Sequence, residues 1–173
     1  MNHRLFAAIR PPAEVIDALL DLAEKPGSDI AGARWQDECQ LHLTLRFFGE
    51  ISAPQADDID AALALRGVGH FETGRRPHTL WAGLAPSDPL LALQRQVETA
   101  ARRAELPPET RKFAPHITLA RLNRAGGPVL PFLSAQAALT SEPWPVEAFD
   151  LMESTLTAAG AQYETVRRYR MIG

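Results

Sequence analysis

The chain is poor in the residues that most often announce a function. Cys39 is its only cysteine, so neither a disulfide framework nor a cysteine metal cluster is available. No helical His-x-x-x-His pair occurs, and no Gly-x-Gly-x-x-Gly or lysine-bearing phosphate loop. The familiar zinc, dinucleotide and nucleotide-loop signatures are therefore missing. No apolar run approaches the roughly 18 to 20 residues that span a bilayer. The apolar stretch near the N-terminus is too short for a signal peptide and reads as a first strand. Lysine is scarce as well: Lys25 and Lys112 stand against sixteen arginines, and neither lysine sits in a nucleophile motif for ATP-dependent ligation. The net charge of −3 excludes a bulk nucleic-acid coater, so any RNA or nucleotide contact must come from local arginines.

What remains is ordinary for a globular protein: 173 residues, 46% apolar and 23% charged. No segment rich in Gly, Ser or charge separates independent units. Residues 1–173 read as a single domain of two interlocked lobes, cytoplasmic by default. The absence of a long exposed apolar run favours a monomer.

The informative feature occurs twice. Residues 41–47 read Leu-His-Leu-Thr-Leu-Arg-Phe, and residues 115–121 read Pro-His-Ile-Thr-Leu-Ala-Arg. In a strand, side chains alternate between faces. His42 and Thr44 then share one face while Leu41, Leu43 and Leu45 share the other. His116 and Thr118 face away from Ile117 and Leu119 in the same manner. If the copies lie side by side, two imidazoles and two hydroxyls open onto one cleft. That set suits chemistry at a phosphate: one imidazole takes a proton, the other gives one, and the hydroxyls donate to phosphate oxygens. A single His-x-Thr would more simply be a core strand carrying a satisfied histidine. The repetition makes the catalytic reading the stronger one.

Around these motifs the pattern predicts a strand at 3–9, a helix over 12–24, a short strand at Ala33-Arg34-Trp35 and a second helix over 54–65. Strands follow at 67–73 and 77–84, then a third helix at 89–104 and a loop from Asn123 to Pro128. A short helix within 129–138 and a hairpin of 146–157 with 162–171 complete the chain. The class is α+β. The order of elements suggests two pseudo-symmetric lobes, each giving one motif to a central groove.

These residues resemble the two-histidine (2H) phosphoesterases, in particular their RNA 2′,3′-cyclic phosphodiesterase branch, also called 2′-5′ RNA ligases. The resemblance covers most of the chain: Arg4 to Ile9, Ala33 to Trp35, His42 to Glu50, Pro77 to Leu84, Arg111 to Arg121, and Phe149 to Ser154. It implies a bilobal fold of two antiparallel-rich sheets, with helices packed outside and a central groove, and no metal or dissociable cofactor. It also implies roles. His42 would be the proton donor to the departing ribose oxygen and His116 the proton acceptor from water. Thr44, Thr118 and Arg121 would bind the phosphate. The substrate would be RNA or small nucleotides with 2′,3′-cyclic phosphates, and the product a 2′-phosphomonoester.

Strand parity sharpens some of these expectations. Arg121 is five residues after His116, so it reaches the groove only if the strand has ended or bulged by then. Arg46 has the parity of His42 and Thr44 and is expected to face the cleft, with a salt bridge as the alternative. Phe48 and Phe113 are candidate base contacts, with core packing the commoner role for either. His3, His70 and His78 match no motif and are expected to be structural. Cys39 has the wrong parity for a Cys–His pair. Two further functions compete: a 2′-5′ RNA ligase or phosphodiesterase on oligonucleotides, and a non-catalytic module that binds RNA ends. The intact motif pair argues against the last, because binding alone needs no two proton carriers.

Overall fold

The computed structural model describes residues 4–48, 61–158 and 160–171. In chain order, strand β1 (Arg4–Ile9) leads through Pro11-Pro12 into helix α1 (Ala13–Asp21), which buries Val15, Ile16 and Leu19. A turn of 3-10 helix ends α1. Strand β2 (Ala31–Trp35) and a second 3-10 turn precede motif strand β3 (Leu43–Phe48). Then come β4 (Ala62–Leu63), β5 (Leu65–Thr73) and β6 (Arg76–Leu84). Helix α2 (Asp88–Arg103) starts where the Ser87 side chain accepts from Leu90 N–H, a conventional N-cap. It buries Leu90, Leu93, Val97 and Ala101. Motif strand β7 (His116–Gly127) follows, then α3 (Leu130–Ala135), β8 (Trp144–Pro145) and the hairpin β9 (Ala148–Thr157) with β10 (Gly160–Arg170).

Eight strands form one antiparallel sheet in the order β10-β9-β1-β3-β7-β6-β5, with β2 also on β7. β4 pairs with β8 apart from it. β2 and β3 share the edge of β7 opposite β6, because Ala120 and Arg121 pair with both β2 and β6. The two halves of the sheet meet at the motifs, where Leu43 stands opposite Ile117. One face carries the main core, in which Ile9, Leu43, Leu45, Leu80, Ile117 and Leu119 pack with the buried residues of the three helices. The other face holds a smaller cluster of Phe6, Ala8 and Met152, with Tyr163 against it.

Both motif strands are bulged at the same place. On β3, Thr44 and Arg46 oppose the adjacent residues Ala8 and Ala7, so Leu45 is the extra residue. On β7, Thr118 and Ala120 oppose Trp81 and Leu80, so Leu119 is extra. A bulge shifts the parity of every residue beyond it. Position four after the histidine turns to the core and position five turns to the other face. Hence Ala120 is buried and Arg121 exposed; likewise Arg46 is buried and Phe47 exposed.

Some expectations change accordingly. Arg46 does not face the cleft. It is 8% exposed and ion-paired to Glu98 at 2.9 Å and Glu109 at 3.6 Å, with its Nη2 donating to the Pro107 carbonyl. The end of the expected second helix is strand: Ala62 and Leu63 pair with Pro145 and Trp144. The rest of that helix lies largely outside the described residues, as does His3. The expected loop after Asn123 is strand as far as Gly127, because Ala31 of β2 pairs there.

Arg46 ties β3 to α2 and to the chain segment that leads into β7. Glu98 and Glu109 keep Arg102 and Arg111 as partners, so losing Arg46 strands no charge and costs chiefly its charge-assisted hydrogen bonds, about 1.5–3 kcal/mol. Arg46→Ala is therefore expected to lower unfolding free energy by about that amount in urea denaturation. A loss below about 1 kcal/mol would mean that the pair does not anchor the segment.

Candidate active site

Leu43 and Ile117 form an antiparallel pair, and antiparallel geometry extends that register to the residues beside them. It sets His42 across from Thr118 and Thr44 across from His116. The imidazoles lie on one diagonal of this square and the hydroxyls on the other. Diagonal neighbours in a sheet are separated by about 7–8 Å, which leaves room for a phosphorus between the rings. His42, Thr44, His116, Thr118 and Arg121 all line one groove of about 690 Å³. The bulge at Leu119 is what returns Arg121 to that face, where its Nη1 donates to Thr79 Oγ1 at 3.3 Å.

Each imidazole is bracketed by two aromatic rings. His42 lies 5.0 Å from Phe6 and 5.2 Å from Tyr163, the latter edge-on. His116 lies 4.8 Å from Phe71, edge-on, and 6.3 Å from Trp81. Trp81 reaches this position because its cross-strand partner is Gly69: a Cβ there would come within 2.2 Å of the indole. The rings fix the imidazoles and strip water from them. Burial lowers the His42 pKa from 6.5 to about 4, with smaller Coulombic contributions from Arg10, Arg121 and His116, while the Gln40 backbone works in the opposite direction. Burial also lowers the His116 pKa, opposed by a hydrogen bond to Ala114. Both rings are neutral in the free protein near pH 7.

The hydrogen bond to Ala114 fixes a tautomer. His116 Nδ1 lies 2.6 Å from the Ala114 carbonyl. A carbonyl only accepts, so Nδ1 carries the hydrogen and Nε2 is the basic nitrogen.

The lining is strongly basic within an acidic protein. Arg4, Arg34, Arg111 and Arg121 line the groove, and no carboxylate does among the described residues. Glu109 takes both side-chain and backbone N–H groups of Arg111, which holds its own carboxyl down at about 2. Among the described residues no group of three or more His, Cys, Asp or Glu could hold a metal.

Of the aromatic candidates, Phe48 borders the groove but is 7% exposed and packs in the main core. Phe113 does not border it; it is half-buried against the main core. Cys39 sits exposed in a 3-10 turn and His70 and His78 lie on β5 and β6, away from the lining. Alternation misses several lining residues. Phe47 takes the position that strict parity gave to Arg46. Phe6 and Tyr163 come from distant strands, and Gln36 and Arg34 from the β2 edge. The doubled Leu at the third place after each histidine is the one sequence sign of the paired bulges.

The sequence pattern of the LigT-like phosphoesterases matches residues 9–81 and 84–163, one motif in each segment. An RNA 2′,3′-cyclic phosphodiesterase of Aeropyrum pernix is 34% identical over 76% of this chain and 81% of its own. Its Thermus thermophilus counterpart is 30% identical over 98% and 91%. A crystal structure from Thermus thermophilus superposes with a TM-score of 0.79 at 27% identity, covering 97% of both chains. That of Escherichia coli LigT complexed with 3′-AMP gives 0.74 at 26% identity, covering 99% of both. The chain thus has the α+β fold of these enzymes and belongs to the LigT-like phosphoesterases of the 2H superfamily.

Proposed function

We propose that this chain hydrolyses 2′,3′-cyclic phosphates on RNA ends or nucleotides to 2′-phosphomonoesters, with His42 as proton donor and His116 as proton acceptor. One observation carries the reading: the diagonal pair of imidazoles and the diagonal pair of hydroxyls in a single arginine-lined groove. The names of the relatives agree with it.

The reaction balances with these parts alone. His116 Nε2 takes a proton from water as the oxygen bonds to phosphorus. The bond to the 3′ oxygen breaks on the opposite side, and His42 supplies the proton that the leaving oxygen needs. The histidines then exchange protons with solvent and return to their starting states. Thr44, Thr118 and Arg121 donate to the non-bridging oxygens as charge builds there. A positioned acid and base contribute roughly 10²–10⁴-fold each. With a 5′-hydroxyl in place of water as the attacking group, the same ring opening forms a 2′-5′ phosphodiester, which is ligation, and its reverse cleaves that bond. RNA is the partner on this reading. The same reading takes the enzyme to be a monomer in the cytoplasm.

His42→Ala and His116→Ala are each expected to lower kcat at least ~100-fold on a nucleoside 2′,3′-cyclic phosphate in excess chelator. The wild-type product, followed by phosphorus NMR, is expected to be the 2′-monoester. Near-wild-type turnover by either variant would overturn the roles, and a 3′-monoester would overturn the direction of ring opening. The pH dependence has a definite sign. The acid must hold its proton and the base must lack one, so activity peaks between the two histidine pKa values. In the free protein both are lowered, His42 to about 4 and His116 to below 6.5. The kcat/KM profile, which reports the free enzyme, is expected to peak below pH 6.5, and the kcat profile to peak at higher pH once bound phosphate favours both protonated rings. A kcat/KM still rising above pH 7 would contradict this.

A further inference from the structure

The groove carries more positive charge than one cyclic phosphate requires. Arg34 and Arg121 stand directly opposite each other on adjacent strands, and both line the groove. Like charges in that relation destabilise a sheet. Among the described residues no carboxylate lies within ion-pair distance of either one. Two residues along the same edge, Gln36 also lines the groove, and its buried Nε2 has no hydrogen-bond partner among the described residues. The Gln36 backbone N–H donates to the carbonyl of the bulge residue Leu119 at 2.8 Å, so this edge is fixed to the motif itself. Gly160 makes room for Arg34: a Cβ there would lie 2.8 Å from the guanidinium. A 2′,3′-cyclic phosphate brings one negative charge, which the threonines and Arg121 already meet. Arg34 and Gln36 remain as a charged fork and an amide donor facing the same groove.

Resting on the proposed reaction, we infer that Arg34 and Gln36 form a second phosphate subsite that takes the backbone phosphodiester upstream of the cyclic end. The preferred substrate is then an RNA oligonucleotide and not a mononucleotide. The upstream phosphate relieves the repulsion between Arg34 and Arg121, and Gln36 donates to the same phosphate or its ribose. Arg34 and Gln36 are specificity residues outside the proton-transfer set.

The test compares a trinucleotide ending in a 2′,3′-cyclic phosphate with the corresponding nucleoside 2′,3′-cyclic phosphate. The wild type is expected to favour the trinucleotide by ~10-fold or more in kcat/KM, mainly through KM. Arg34→Gln is expected to cost the trinucleotide at least ~10-fold more than the mononucleotide, with Arg34→Lys recovering part of that difference. In a salt titration, each phosphate contact on a single strand contributes roughly 0.7 to the log–log slope. Arg34→Gln should flatten the trinucleotide slope by about that amount. Equal losses on both substrates, or no wild-type preference, would overturn the subsite. A parallel arm measures binding of a trinucleotide 3′-phosphate by fluorescence anisotropy. If neither cyclic substrate turns over, the proposed reaction fails, yet a wild-type affinity at least ~10-fold above that of Arg34→Gln would still support the subsite, and equal affinities would refute it.

Discussion

Leu43 and Ile117 face each other where the two halves of the sheet join, and the rest of the groove follows from that pairing. Each is the central residue of a His-x-Thr triplet, and each turns its side chain into the helical core. The residues on either side must then point the other way. Because the strands run antiparallel, the histidine of one triplet meets the threonine of the other. Two apolar side chains thereby hold four polar ones in a square. Neither triplet could place its partner without the hydrophobic burial behind it.

The bulges after the triplets add the second layer. Inserting Leu45 and Leu119 at equivalent positions rotates both strands in step. On β7 this brings Arg121 to the groove. On β3 it sends Arg46 into the core, where Glu98, Glu109 and the Pro107 carbonyl receive it. The loop so fastened continues to Arg111 at the groove and to Ala114, whose carbonyl sets the His116 tautomer. An arginine of the first motif thus supports the histidine of the second. Burial, with aromatic rings packed around both imidazoles, lowers their pKa values and keeps both neutral near pH 7, and four arginines line the same groove.

Much of this was readable from one chain. Leu41, Leu43, Ile117 and Leu119 mark buried strand faces, and their alternation gave the faces of His42, Thr44, His116 and Thr118. Helices α1 and α2 followed from apolar spacing. What alternation could not supply was the effect of an extra residue. A bulge has no strong composition signal, so alternation puts Arg46 on the wrong face and passes over Phe47. Phe6, Phe71, Trp81 and Tyr163 were invisible as imidazole brackets because their places depend on long-range pairing of β1, β5, β6 and β10. The strand end at Gly127 depends likewise on β2, a partner far away in the chain.

The central claim is that both imidazoles address one phosphate group. Nitrogen-15 NMR of the histidine side chains, titrated over pH with and without one equivalent of a nucleoside 2′-monophosphate, tests it directly. The account predicts that the His42 and His116 resonances both shift, and that both pKa values rise from their depressed free-protein positions at a single stoichiometric point. A response confined to one ring, or two responses with separate stoichiometries, would contradict it.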